Sequence, residues 1–170
     1  MKASEITKLI ANDSGLTLDG KEKKPFAFGT LIGYPVIVYT RSLGFFGKQL
    51  KIDFGTAEVV NIKELKKAVY RHKAKDKFFI MPYESNDLTD AIIAGAVGGA
   101  GGVLIGDPMG KGEIKERSLL GNSGMFSVLF TIGRLKEQDI LVKYREIIAA
   151  VESSLKQLGI TPPVFEASES

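Results

Sequence analysis

The chain has no cysteine, no tryptophan and a single histidine in 170 residues. Without thiols it cannot build a disulfide framework, a cysteine nucleophile or any Cys-ligated zinc or iron–sulfur site. The lone His72 excludes a two-His metal site within one chain. Long apolar runs are also lacking. The longest uncharged apolar stretch, AIIAGAVGGAGGVLIG from Ala91 to Gly106, is 16 residues, short of the ~20 that a helix needs to span a bilayer. The opening MKASEITKLIANDSG carries charge on both sides of a short apolar set and lacks the core of a secretory signal. These absences lead us to expect a cytoplasmic protein, at most peripheral to a membrane.

What is present is ordinary for a globular chain. Hydrophobic residues make up 44% and charged residues 25%, enough apolar content to exclude wholesale disorder. The length suits one domain, expected over residues 1–160, with 161–170 as a frayed tail. There is no internal repeat.

Periodicity sets out the elements. Ile6, Leu9 and Ile10 recur at helical spacing, and Gly15 is placed to end that helix. Thr17–Lys24 is polar and basic and reads as a loop. Leu31–Thr40 is β-branched and aromatic, a strand that Pro35 should confine to an edge or a bulge. Lys48–Phe54 alternates, with Leu50, Ile52 and Phe54 on one face and Lys51 and Asp53 on the other, as in a half-buried antiparallel strand.

Asn61 should cap a helix over Ile62–Lys75. Lys77–Tyr83 is apolar on both faces and predicts a buried strand ended by Pro82. A helix over about Leu88–Val97, a glycine loop and a short Val103–Ile105 strand follow. Two further strands, Glu113–Leu119 and Met125–Arg134, flank the turn Gly121–Gly124. Glu137–Leu158 carries a broad apolar stripe and stops at Gly159 before Pro162 and Pro163. The order predicts an α+β domain: a mostly antiparallel sheet of about five strands, covered on one face by helices, with a long C-terminal amphipathic helix.

Catalytic motifs fail on inspection. Gly121-Asn122-Ser123-Gly124-Met125 lacks the last glycine of GxSxG, and no HExxH is present. The Gly106–Lys111 segment has the wrong spacing for a Walker A loop, and the Gly95–Gly102 cluster does not match GxGxxG. Glu84, Asp87, Asp90 and Asp107 could group as oxygen ligands, but Asp87 and Asp90 suit a helix start and Asp107 a turn. His72, set among lysines, reads as a surface histidine. We therefore expect no catalytic residues, no metal and no cofactor.

Three features stand above this background. First, Lys63–Lys77 holds seven basic residues against Glu64 and Asp76, a block of +5 on a remainder of −2. On a helix, Lys63, Lys66, Lys67 and Arg71, with Lys73 beyond, would form a cationic face for phosphates or anionic lipid, or simply a solvated one. Second, Gly44-Phe45-Phe46-Gly47 falls at a hairpin tip. Folding back on the core is the expected fate of Phe45 and Phe46, and exposure would make them an anchor. Third, Gly98 and Gly102 belong to a glycine series with GxxxG spacing, suited to close helix approach or to a mobile loop.

The reading that joins these features is a non-catalytic binding module engaging an anionic membrane surface or a protein partner. It would use Phe45, Phe46, Lys63, Lys66, Lys67, Arg71, Lys73, Gly98 and Gly102. The rival is a small-molecule-binding protein or enzyme with a pocket near the glycine-rich segment. Nucleic acid is a weaker third option, since no interleaved aromatics accompany the basic run. A homo-oligomer remains open.

Overall fold

A computed structural model describes residues 1–83, 119–121 and 123–164, with Phe46 described in its backbone alone. The elements run α1 (Ala3–Ser14), β1 (Thr17–Lys21), β2 (Lys24–Leu31), β3 (Tyr34–Ser42), β4 (Lys48–Thr56), α2 (Ile62–His72), β5 (Phe78–Pro82), β6 (Gly124–Thr131) and α3 (Glu137–Gln157). The six strands form one sheet in the order β1-β2-β3-β4-β6-β5, with every neighbouring pair antiparallel. This is the α+β class expected from the sequence.

Local chemistry accounts for the element ends. Gly15 adopts φ 67°, the left-handed value that stops α1. Asn61 Oδ1 accepts from the Glu64 N–H at 3.2 Å and caps α2. The β2–β3 hairpin closes through Ile32 and Gly33, both at positive φ, as a two-residue turn of the primed type requires. A β-branched residue in that region is strained, and Ile32 holds it by packing against the core.

One core joins the sheet to the three helices. Leu50, Ile52 and Phe54 of β4 meet Phe126, Val128 and Phe130 of β6, with Val36 and Val38 of β3 beside them. Ile6 and Ile10 of α1, Leu65 and Val69 of α2, and Ile140, Tyr144, Ile147 and Val151 of α3 complete the cluster. Phe54 and Phe126 stack with ring centroids 4.9 Å apart and planes 3° from parallel. The i, i+4, i+7 spacing of the α3 residues is the stripe seen in the sequence.

The described sheet has six strands, in line with the expected five or so. Several local expectations are corrected: the segment read as a loop is β1 and the start of β2. Every β1 residue is exposed, so no hydrophobic period marks it. Pro35 lies in an interior strand, not at an edge. It sits on the rung Thr30↔Pro35, one beyond the tight Leu31↔Tyr34 closure, and the β3–β4 ladder begins only at Val36↔Phe54. Its missing N–H therefore forfeits no ladder bond.

Conversely, β5 lies at the edge among the described strands, with Phe78 and Ile80 buried but Phe79 exposed. Helix α2 stops at His72 rather than Lys75, because the chain must turn at Lys77 (φ 59°) to enter β5. The predicted elements over residues 88–105 and 113–118 lie outside the described residues. Leu119, the one described residue of the Glu113–Leu119 strand, is helical. No described helix is long and apolar enough to cross a membrane.

Candidate binding surface

Register gathers chain segments far apart in sequence at one end of the sheet. Lys21 and Lys24 close the β1–β2 hairpin there, and Ser42 pairs with Lys48 at the root of the β3–β4 hairpin. The Ile132 N–H donates to the Lys48 carbonyl at 2.9 Å, and the Thr131 N–H to the Lys77 carbonyl at 2.7 Å. Beyond Ile132 the chain passes Arg134 and Lys136 into α3. Seven cationic residues, Lys21, Lys23, Lys24, Lys48, Lys77, Arg134 and Lys136, thus frame this end, against Glu22, Asp76 and Glu137. Asp76 is engaged by Lys143 of α3 at 3.1 Å, which holds its carboxyl below the ordinary range.

Phe45 stands at the tip of this end. It belongs to a single 3₁₀ turn, Gly44–Phe46, closed by the Gly47 N–H on the Gly44 carbonyl at 3.1 Å and the Leu43 N–H on the Gly47 carbonyl at 2.6 Å. The ring is fully exposed. The expected folding back therefore does not occur for Phe45, and the exposed ring forgoes roughly 1.5–3 kcal/mol of burial. The reason is geometric: a turn this short, with Gly47 lying against Gly133, cannot swing the ring back over the sheet.

The other sequence candidates divide. Lys63, Lys67 and Arg71 share the exposed side of α2, whose Leu65, Ala68 and Val69 are buried. Lys66 is half-buried, and Lys73 is held by Glu146 of α3 at 3.1 Å. Because β4 runs away from the tip and α2 runs back, Lys63 lies at the end opposite Phe45, and only the C-terminal turn of α2 approaches it. Gly98 and Gly102, like Glu84, Asp87, Asp90 and Asp107, lie outside the described residues. His72 is exposed, its Nε2 3.1 Å from Gln157 Oε1.

A buried polar cluster was missed. The alternation in β4 predicted Lys51 and Asp53 on an open face, yet Lys51 is 4% exposed and Asp53 0%. Asp53 lies on the rung Ile37↔Asp53↔Ser127, and Ser127 Oγ donates to its Oδ1 at 2.5 Å. Lys51 Nζ is 3.7 Å from the same oxygen and 5.6 Å and 5.7 Å from the ring centroids of Tyr39 and Tyr83. Oδ2 has no hydrogen-bond partner. Burial pushes the Asp53 carboxyl up to about 6, the opposing pulls of Lys51, Ser127 and Arg41 notwithstanding.

This cluster lies beside a second apolar group of Phe26, Ile37, Tyr39 and Leu120, distinct from the main core. The one sequence signal was Lys-x-Asp on a strand. Only knowledge that Ser127 pairs with Asp53 would have given it meaning. Ser127 donates its hydroxyl proton to the Asp53 carboxylate and is itself 1% exposed.

At the opposite end, a cleft of about 270 Å³ between the β4–α2 link and the exit of α3 is lined by Glu58, Val60, Asn61, Glu64 and Ile160 among others. Among the described residues no cluster of three or more His, Asp or Glu could hold a metal ion. No protein-family model, curated protein or solved structure matches this chain. What defines it is its α+β fold with a cationic sheet end.

Proposed function

We propose that this protein is a non-catalytic binding module that engages an anionic surface through the cationic end of its sheet. The observation that carries the reading is the convergence of four separate chain segments, at Lys21–Lys24, Phe45–Lys48, Lys77 and Arg134–Lys136, on one end. The chain as a whole carries 23 Lys and Arg against 20 Asp and Glu, a net charge of only +3, so attraction for an anionic partner comes from the local field of this end rather than from overall charge. Such a field steers an anionic partner toward it and weakens with salt.

Sedimentation with vesicles of phosphatidylcholine, with and without one-third phosphatidylserine, tests this. Binding should require the anionic lipid and fall steeply as salt is raised. The double variant Lys77→Gln/Lys136→Gln should bind roughly 30-fold more weakly, from about 1 kcal/mol per surface lysine lost. Lys63→Glu, at the far end, should bind as the parent does. Equal binding to neutral vesicles, or an effect confined to Lys63, would contradict the proposal.

A further inference from the structure

We infer that the anionic surface is a phospholipid bilayer which the protein meets end-on, with Phe45 entering the headgroup–acyl boundary. The inference rests on the binding-module reading above and adds the identity of the partner.

Three observations point to lipid rather than to another polyanion or a protein. Phe45 is fully exposed on a closed turn, so it is presented to the solvent by formed backbone bonds and not by a frayed end. The loop from Ser42 to Lys48 contains no acidic residue, and its root carries Lys48. An apolar tip ringed by lysines and arginine matches the two layers of an anionic membrane interface, phosphate above and hydrocarbon below.

The rival partners fit less well. The one exposed ring described at this tip gives far too little apolar area for a stable protein interface, which needs on the order of 1,000 Å². Single-stranded nucleic acid would call for successive aromatic platforms along a cationic groove. The other exposed phenylalanine of the sheet, Phe79, lies on β5, separated from β4 by β6 and beneath Lys75 Nζ at 4.7 Å from its ring centroid.

The absence of tryptophan makes the experiment direct, because Phe45→Trp supplies the sole indole. The ring makes no buried contacts, so the substitution leaves the fold alone. With vesicles containing phosphatidylserine, its emission should shift to the blue and be quenched by lipids brominated on the acyl chain. With heparin or a DNA duplex at the same ionic strength it should stay at the solvent-exposed wavelength. Phe79→Trp should show neither change.

Phe45→Ser should lower vesicle binding by about tenfold or more while its thermal midpoint equals that of the parent. Salt-sensitive sedimentation of Phe45→Trp without blue shift or quenching would overturn insertion and leave the binding-module reading standing. A tighter, blue-shifted complex with heparin or DNA would overturn the choice of lipid. No sedimentation with any anionic vesicle, and no retention by heparin or DNA, would overturn both.

Discussion

Asp53 shows how burial and pairing compete at a single side chain. Removing its carboxylate from water is the largest influence, and the nearby Lys51 ammonium and Ser127 hydroxyl recover only part of the loss. Its pKa of about 6 lies above the ordinary 3.8, so the folded state holds the proton more tightly than the unfolded chain. Its contribution to stability is therefore greatest below about pH 4 and is lost as pH rises to about 6. Asp53→Asn keeps an oxygen for Ser127 and abolishes the titration. Chemical denaturation of both proteins from pH 4 to pH 7 should show the parent losing roughly 2 kcal/mol relative to the variant. Parallel pH profiles would refute the assignment. At the same scale, Gly55 is compulsory: a Cβ there would lie 1.9 Å from the Leu120 carbonyl oxygen, a backbone atom that cannot move aside.

At the scale of the element, junctions carry the strain. Lys77 joins α2 to β5 at φ 59°, a left-handed conformation that disfavours any residue with a Cβ. Its side chain is exposed and contributes little packing. Lys77→Gly should raise stability by about 1 kcal/mol, read as a higher thermal midpoint, while weakening vesicle binding by removing a cation from the sheet end. A lower midpoint would show that the lysine is doing structural work at this turn. The elements fixed by local signals were legible beforehand: Asn61 as a cap, Gly15 as a stop, and α3 through the spacing of Ile140, Tyr144, Ile147 and Val151. Strand β1 was not, because five exposed residues carry no period, and it exists only through its rungs with β2.

Across the whole molecule, protection should follow sheet position. Strand β4 is paired on both sides and buried on nearly every residue, whereas β1 is a fully exposed edge strand with one partner among those described. Native-state hydrogen exchange should find β4 and β6 amides opening only with global unfolding, and β1 amides opening locally at much lower free energy. A β1 as protected as β4 would mean that the sheet unfolds as one unit from its edge.

The candidate surface has the same whole-molecule origin. The basic run Lys63–Lys77 was visible in the sequence, but its lysines spread along a helix axis, and Lys73 is taken by Glu146. Lys24, Lys48 and Arg134 were unremarkable until antiparallel pairing put them at one end. By itself the sequence determined what depends on neighbours a few residues apart: the α+β class, the stop of α1 at Gly15, the Asn61 cap of α2, the apolar stripe of α3, the alternation of β4 and the lack of thiol or two-histidine chemistry. Only the tertiary structure decided that Phe45 faces solvent, that Lys51 and Asp53 are buried, and that Ser127 meets Asp53. Those facts depend on β4–β6 rungs between residues as many as 82 positions apart, from Gln49 to Thr131, and no local pattern encodes which strands pair.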